Sequence, residues 1–504
     1  MPLKIILVNP PIREWSKPNV PPMGLLLLSD ILRKAGHQVL IEDINATRAD
    51  LSDVTAWTRT SPERTLDWMK SPAAECDMLG ITGLITQWSY VKWFTAQYKK
   101  HHPNTVVVAG GPMVSNAPEY FTQDMTGVDA IVVGEGEISV LDVARDVEKR
   151  TLSTKREVRI TTQPVDAKSR TGLEWNTFES RVPVYQTKDA GVPLDSIPFP
   201  DYENLATLDT YLHNAVGYTN QNRKWVDGSS EGEVRNLSIV STRGCVFRCR
   251  FCQPRYMSTT ARMRSVGVIC DEMEMLIDKY DVKYIHFLDE ITFFSKNRAI
   301  QFADEVIRRG LHKKIEWGCP TRIDTQDERS IKRCREAGMV WMGLGVESLS
   351  PTVLTAMDKY VHLEGGVERV IENIRHARSV LPVVDTSFIV GYPGETRETM
   401  QETIRNMHRV GEDFKPDACF YASPIPGTWL WDYAMKNGFI KDPVAYIADM
   451  GENAVMRMNF TDIPDDELSV WKRRVEQATL GEPEGRDLHV GPLKWANIEY
   501  SYPT

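Results

Sequence analysis

The sequence predicts an α/β chain made of two successive strand-and-helix units and a small, mostly helical C-terminal region. Three observations lead to this class. Residues 3 to 150 alternate five short apolar runs with amphipathic stretches, residues 237 to 428 repeat strand then helix six times, and prolines break up the segment between them. At 504 residues the chain exceeds one ordinary core, so divisions are expected at 1–150, 151–235, 236–428 and 429–504.

In the first unit, strands are expected at Lys4 to Val8, Gln38 to Ile41, Met78 to Thr82, Val106 to Ala109 and Ala130 to Val133. Helices are expected over Leu25 to Lys34, Ser89 to Lys100 and Ile138 to Lys149. Short apolar strands joined by helices predict a doubly wound, Rossmann-like parallel sheet, which takes ligands at its carboxyl edge. That edge carries Asn9-Pro10-Pro11, Thr82-Gly83-Leu84, Gly110-Gly111-Pro112 and Gly134-Glu135-Gly136. Glycine at a strand end lets the backbone approach a large flat ligand, though tight turns need glycine too. The G-x-G-x-x-G nucleotide pattern does not occur here.

Residues 151 to 235, with Pro164, Pro183, Pro193, Pro198 and Pro200, read as an irregular linker packed across both units. In the second unit, strands are expected at Leu237 to Ser241, Tyr284 to Leu288, Ile315 to Gly318, Val340 to Gly345, Val384 to Val390 and Ala418 to Tyr421. Six repeats are too few to close an eight-stranded barrel. In βα barrels the chemistry sits at the carboxyl strand ends, and there the chain places Asp289, Glu290, Arg322, Asp324, Glu347 and the turn Gly391-Tyr-Pro393-Gly-Glu395. Carboxylates accept from ammonium groups and ribose hydroxyls, and arginine pairs with carboxylates. Taken singly, each is as readily a helix cap or a loop charge; in register with successive strand ends they read as a site.

Directly after Leu237 to Val240 come Cys245, Cys249 and Cys252 in a C-x3-C-x2-C array. Three thiolates can wrap one face of a cluster, whereas a four-iron cube ordinarily takes four, so one iron is left open to a ligand. The competing reading is a structural zinc site, which needs a fourth ligand that Cys270 could supply. The remaining cysteines, Cys76, Cys319, Cys334 and Cys419, read as buried packing.

With Phe251 before its last cysteine, the array resembles that of the radical S-adenosylmethionine (SAM) superfamily. The ordered set Asn9-Pro-Pro, Pro21-Pro-Met-Gly24, Thr82-Gly-Leu84, Gly110-Gly111-Pro112 and Gly134-Glu-Gly-Glu137 resembles the cobalamin-binding domain found ahead of many radical SAM barrels. Together the resemblance spans roughly residues 3 to 440. It implies a partial (β/α)6 barrel and a [4Fe-4S] cluster on Cys245, Cys249 and Cys252. It further implies that Asp289, Glu290, Arg322, Glu347, Gly391 and Pro393 bind SAM. Cobalamin would lie on Asn9, Pro10, Thr82, Leu84, Gln87, Trp88, Gly110, Gly111, Gly134 and Glu135.

The implied activity is a cobalamin-dependent radical SAM C-methyltransferase. A 5'-deoxyadenosyl radical takes a hydrogen, and methylcobalamin passes a methyl group to an unactivated carbon of a small molecule, peptide or protein side chain. An electron donor such as flavodoxin or ferredoxin would feed the cluster. A cyclase or ring-rearranging enzyme of the same cofactors, or a non-catalytic cofactor sensor, are the alternative readings. For the first unit alone, the alternative is a plain interaction domain.

One departure concerns the lower face of cobalt. The D-x-H-x-x-G motif is missing, and the nearest match, His362-x-x-Gly365, has Tyr360 in the aspartate slot and lies outside the first unit. His37, His101 and His102 precede strands, at the wrong edge of the sheet. Cobalt is therefore expected without a histidine, with Gln87 or Trp88 nearest the metal and the benzimidazole tail between the sheet and the Gly110-Gly111 turn.

A net charge of −9 argues against nucleic acid or an anionic membrane as the main partner. The first residues read as a strand ended by two prolines rather than a signal sequence, and Leu25 to Leu28 is too short to span a bilayer, so a cytoplasmic protein is expected. The tail, with Trp429, Trp431, Trp471 and Trp495, is expected to cap the fold, and it names no substrate.

Overall fold

The computed structural model describes residues 1–11, 18–47, 54–162, 174–187, 191–213, 234–253, 261–450 and 455–483. In the first unit, strands β1 (Lys4–Asn9), β2 (Gln38–Asp43), β3 (Met78–Ile81), β4 (Val106–Ala109) and β5 (Ala130–Val133) form a parallel sheet. Helices α1 (Met23–Lys34), α2 (Val54–Met69), α3 (Trp88–His101), α4 (Pro112–Asn116), α5 (Pro118–Asp124) and α6 (Gly136–Lys149) cover its two faces. Both faces are apolar because both are covered, and strands with buried pairs such as Ile5 and Ile6 follow from that.

The sheet has a sixth strand, which corrects the reading of 151–235 as irregular. A hairpin of β6 (Glu157–Thr162) and β7 (Glu174–Glu179) precedes β8 (Val184–Gln186), which pairs with β5 in the order β2-β1-β3-β4-β5-β8. Three residues between Pro183 and Pro193 are too few to display a period. Val184 and Tyr185 are nonetheless buried, and the Pro183 carbonyl still accepts from the Ile131 amide at 2.9 Å. The linker then touches both units through helix α7 (Leu208–Leu212): Thr207 Oγ1 and Tyr211 Oη donate to Asp43 Oδ2 at 2.7 and 2.8 Å.

The second unit is an open parallel sheet of six strands. They are β9 (Asn236–Ile239), β12 (Tyr284–Phe287), β13 (Glu316–Thr321), β14 (Met339–Glu347), β15 (Val383–Val390) and β16 (Ala418–Tyr421), adjacent in that order. A short antiparallel pair, β10 (Thr242–Arg243) and β11 (Arg262–Met263), stands above the first strand. Helices 266–280, 296–308, 328–336, 366–380 and 397–410 wrap the outside, as the six-repeat reading requires.

The tail is helical and clasps both units. Helix Trp429–Lys436 sets Trp431 edge-on to Tyr120 of α5, with ring centroids 5.7 Å apart. Helix Asp465–Glu476 lies on helix Arg397–Val410, where Arg397 pairs with Glu467 at 2.6 Å. Trp495 lies outside the described residues. Tyr392, Ala422, Leu430 and Trp431 share one apolar cluster with Trp88, Phe94 and Phe121 of the first unit, so the units are packed through a common core. No helix among the described residues is long and apolar enough to cross a membrane.

Trp317 anchors the outer wall of the barrel: it is fully buried, donates to the Ala337 carbonyl at 2.8 Å and meets Phe302 edge-on at 5.2 Å. Replacing it by alanine leaves a large cavity and an unpaired carbonyl, and should destabilise the protein by about 3–5 kcal/mol in guanidinium unfolding. A loss below about 1 kcal/mol would contradict this packing.

Candidate functional site

The cysteine loop is held at both ends. Asp289, just past β12, accepts from the Ser241 amide at 2.7 Å, Ser241 Oγ at 2.6 Å and the Thr242 amide at 2.8 Å. Burial raises its carboxyl pKa, and those donors oppose the rise. Asp289 is thus spent on the loop's backbone, which corrects its assignment as a ligand-binding group. At the other end, the Leu430 amide donates to the Arg250 carbonyl at 3.1 Å, and the Arg250 guanidinium lies 4.8 Å from the Trp429 ring centre.

Cys245, Cys249 and Cys252 are half-buried between these anchors. Cys252 is raised by burial and then by the neighbouring Cys249 and Cys245, so cluster assembly must expel its proton. Cys270 is fully buried in helix Val266–Tyr280 among barrel core residues, which removes it as the fourth ligand of a zinc site. Among the described residues no group of three His, Cys, Asp or Glu converges on a single ion.

Arg322, after β13, donates through Nη1 to Cys249 Sγ at 3.3 Å and grips Asp324 with Nε and Nη2 at 2.9 and 2.7 Å. Its guanidinium lies 3.8 Å from the Phe247 ring centre. These partners hold Arg322 against the Cys249 sulfur and occupy three of its guanidinium nitrogens. Burial works against its charge and is overcome by Asp324 and Cys249.

Glu347 ends β14 with φ +68°, a conformation costly for a residue with a side chain. It pairs with Lys359 at 3.1 Å, both nearly buried, and Lys359 in turn lies 5.8 Å from the Phe251 ring centre. Gly345 is required here, since a Cβ on it would stand 2.4 Å from Glu347 Oε1. Gly391 turns at φ +78° beside Glu347's neighbouring strand, and its amide donates to Glu395 Oε2 at 2.6 Å; Pro393 is half-buried in the same turn. Glu290 is exposed and lines a second cavity.

That cavity, of about 530 Å³, runs between the carboxyl edge of the first sheet and the start of the barrel. Asn9, Thr82, Leu84, Gln87, Gly110, Gly111, Gly134 and Glu135 line it. Gly111 has φ +82°, and a Cβ there would fall 2.1 Å from Thr82 Oγ1, so only glycine closes this cradle. The cavity deepens past Gly110 into a slot between Leu7, Gly80 and Val132 of the sheet and Leu28 and Val140 of α1 and α6. A Cβ on Gly80 would press on Leu7 Cδ2 at 2.8 Å.

Pro10 and Trp88 are not in the lining. The Pro10 carbonyl accepts from Gln87 Nε2 at 3.3 Å, while Gln87 Oε1 accepts from the Leu84 amide at 2.6 Å, so Gln87 braces the loop from within. Trp88 is fully buried, edge-on to Phe121 at 5.6 Å, with its indole N–H on Asp124 at 2.8 Å. The expectation that Trp88 touches a ligand is therefore corrected: an apolar helix position claimed it. Among the described residues no histidine lines the cavity, and His37 and His102 are engaged with Leu3 and Met69.

Residues that sequence reading missed are Lys359, Arg243, Glu137, Arg264 and Glu272. Arg243 of β10 pairs with Glu137 at 2.6 Å and Glu135 at 3.3 Å, and Arg262 of β11 also pairs with Glu135, so the two units are bolted beside the cavity. Only Glu137 carried any signal, as the end of the Gly-Glu-Gly-Glu run. The others carry no spacing or motif that marks their partners, which folding brings together.

Two family models match the chain: the radical SAM superfamily over residues 239–407 and the B12 binding domain over residues 12–144. An uncharacterized methyltransferase of Pyrococcus horikoshii is 29% identical over 444 residues, 87% of this chain and 84% of that one. The anaerobic magnesium-protoporphyrin IX monomethyl ester cyclase of Cereibacter sphaeroides is 28% identical over 334 residues, 65% of this chain and 48% of its own. Among solved structures, the radical SAM methyltransferase TsrM from Kitasatospora setae, with cobalamin and a [4Fe-4S] cluster bound, superposes with a TM-score of 0.59 over 85% of this chain and 77% of that one. At 19% identity this likeness is one of fold.

Burial raises the Glu395 carboxyl to about 8, against the Gly391 and Tyr392 amides that favour its charge. The folded state therefore holds a proton that the unfolded state releases near 4.5, so this group's contribution to stability is present at low pH and is lost as pH rises from about 4.5 to 8. Glu395→Gln keeps an acceptor for Gly391 without titrating. Its melting temperature relative to wild type should accordingly climb between pH 5 and pH 8.5, and a constant difference would show that Glu395 is ionised in the fold.

Proposed function

Because the chain belongs to the cobalamin-dependent radical SAM family, we propose that it is a C-methyltransferase acting on an unactivated carbon of a small molecule, peptide or protein side chain. The observation that carries this reading is the adjacency of the two sites. Gly244, next to Cys245, lines the same cavity as Gly110, Gly111 and Gly134, so one wall belongs to the cysteine loop and the other to the corrin cradle. A substrate held between them would face both, which is what radical formation followed by methyl transfer requires.

When bound, the cluster and SAM supply a radical and cobalamin supplies the methyl group; everything else falls to the chain's own residues. Cys245, Cys249 and Cys252 hold the cluster, and Arg322 steadies the Cys249 sulfur through its 3.3 Å contact. Lys359 holds Glu347 in place at 3.1 Å, as an acceptor suited to ribose hydroxyls. The Gly391 turn, with Pro393 on it, offers a surface close enough for adenine. Asn9, Thr82, Leu84, Gly110, Gly111, Gly134 and Glu135 cradle the corrin, and the slot past Gly80 suits its tail. The shared apolar core of Trp88, Tyr392 and Trp431 keeps water from the space between. A one-electron donor such as flavodoxin or ferredoxin completes the system, and eight free cysteines suit a reducing compartment.

Cysteine-to-alanine variants at 245, 249 or 252 should each lose the 4Fe absorbance and SAM cleavage after anaerobic reconstitution; a triple variant that kept four irons would overturn the cluster assignment. With the true substrate, each methylated product should appear with one 5'-deoxyadenosine and one S-adenosylhomocysteine, because two SAM molecules meet different fates. Deoxyadenosine without S-adenosylhomocysteine would instead favour a cyclase, the activity named for the Cereibacter sphaeroides relative.

Electron paramagnetic resonance of bound cob(II)alamin gives an independent check on the cradle. With no histidine in its lining, the spectrum should lack nitrogen hyperfine splitting from an axial ligand. Splitting that persisted would refute a tail lodged in the slot and a lower face without nitrogen.

A further inference from the structure

Two carboxylates in an unusual shared state line the cavity, Glu137 from α6 of the first unit and Glu272 from helix Val266–Tyr280 of the second. Glu272 is 1% exposed and Glu137 is 8% exposed, and both line the cavity. One oxygen of each is taken by an arginine that also lines it: Arg243 reaches Glu137 Oε1 at 2.6 Å, and Arg264 binds Glu272 Oε2. The other oxygens, Glu137 Oε2 and Glu272 Oε1, have no hydrogen-bond partner. A buried charged acceptor left unmatched costs about 1–3 kcal/mol or more, and a ligand that donates to it recovers that cost. Around Glu272 the wall is otherwise apolar, with Pro198, Pro200, Val240 and Leu288.

The charge balance defines what such a wall accepts. Each carboxylate is already neutralised by its arginine, so a cation would meet the guanidinium and an anion would meet the free oxygen. A neutral group that donates through N–H and accepts through C=O matches both halves of an arginine–carboxylate pair, and a primary carboxamide is such a group. Taking the cavity as a corrinoid site, as above, the ligand's rim is set with primary carboxamides on short hydrocarbon arms. We propose that Glu272 with Arg264, and Glu137 with Arg243, read those side-chain carboxamides and reject corrinoids in which one of them is a free acid.

Binding of hydroxocobalamin and of its separated monocarboxylate isomers to the full-length protein, followed by the change in the corrin absorbance, tests this without turnover. Wild type should bind at least one isomer about tenfold or more weakly than hydroxocobalamin. In E272Q, or in E137Q at the cavity's edge, that penalty should shrink by about fivefold or more, because a neutral amide no longer repels the acid and the arginine welcomes it. Circular dichroism identifies any variant that fails to fold, in which case the other variant and the wild-type ratio carry the decision. Isomers that bind wild type as tightly as hydroxocobalamin, or a ratio unchanged in both folded variants, would overturn the proposal and leave the corrinoid site standing. Folded wild type that binds no hydroxocobalamin would overturn both.

Discussion

The joint between the first two barrel strands is the contact on which the rest depends. Asp289 takes three donors from Ser241 and Thr242, and so sets the angle at which the chain leaves β9. Two residues on, Arg243 engages Glu135 and Glu137 of the first unit; three residues on, the cysteine loop begins past Gly244. One buried carboxylate therefore fixes the direction of both the cysteine loop and the ion pairs that bolt the first unit against it. A charge-assisted bond to a backbone amide does not swing as a side-chain pair does, which suits a site that must hold two large cofactors in register.

Four buried or half-buried ion pairs stand around the cysteine loop and the adjoining cavity. Arg322 with Asp324, Lys359 with Glu347, Arg264 with Glu272 and Arg243 with Glu137 all lie at the rim of the barrel or in the adjoining cavity. Such pairs seldom add net stability, since desolvating two ions offsets their attraction, so apolar residues would have served the fold as well. Their placement is better explained by the site. Arg322 and Lys359 bring positive charge to the loop of three cysteines, while the free oxygens of Glu137 and Glu272 leave the cavity wall with acceptors to offer.

Closure of the site comes from the least informative part of the chain. Helix Trp429–Lys436 presses Trp431 on the first unit and Trp429 on Arg250 of the cysteine loop, and Ser89 of α3 donates to the Ala448 carbonyl at 2.8 Å. The tail thus spans the seam between the units.

The sequence by itself determined the two βα units, the cysteine triplet and the glycine turns at the first sheet's edge, because each is local: a period, a spacing or a positive φ that only glycine tolerates. Tertiary structure alone decided the sixth strand, since Val184–Gln186 is too short to show a period and owes its state to the open edge of β5. It decided that Asp289 serves the backbone, that Trp88 belongs to the core and that Lys359 pairs with Glu347. Those outcomes depend on which groups folding brings within hydrogen-bond reach, and a carboxylate, an indole or an ammonium carries no mark in the sequence of the partner it will meet.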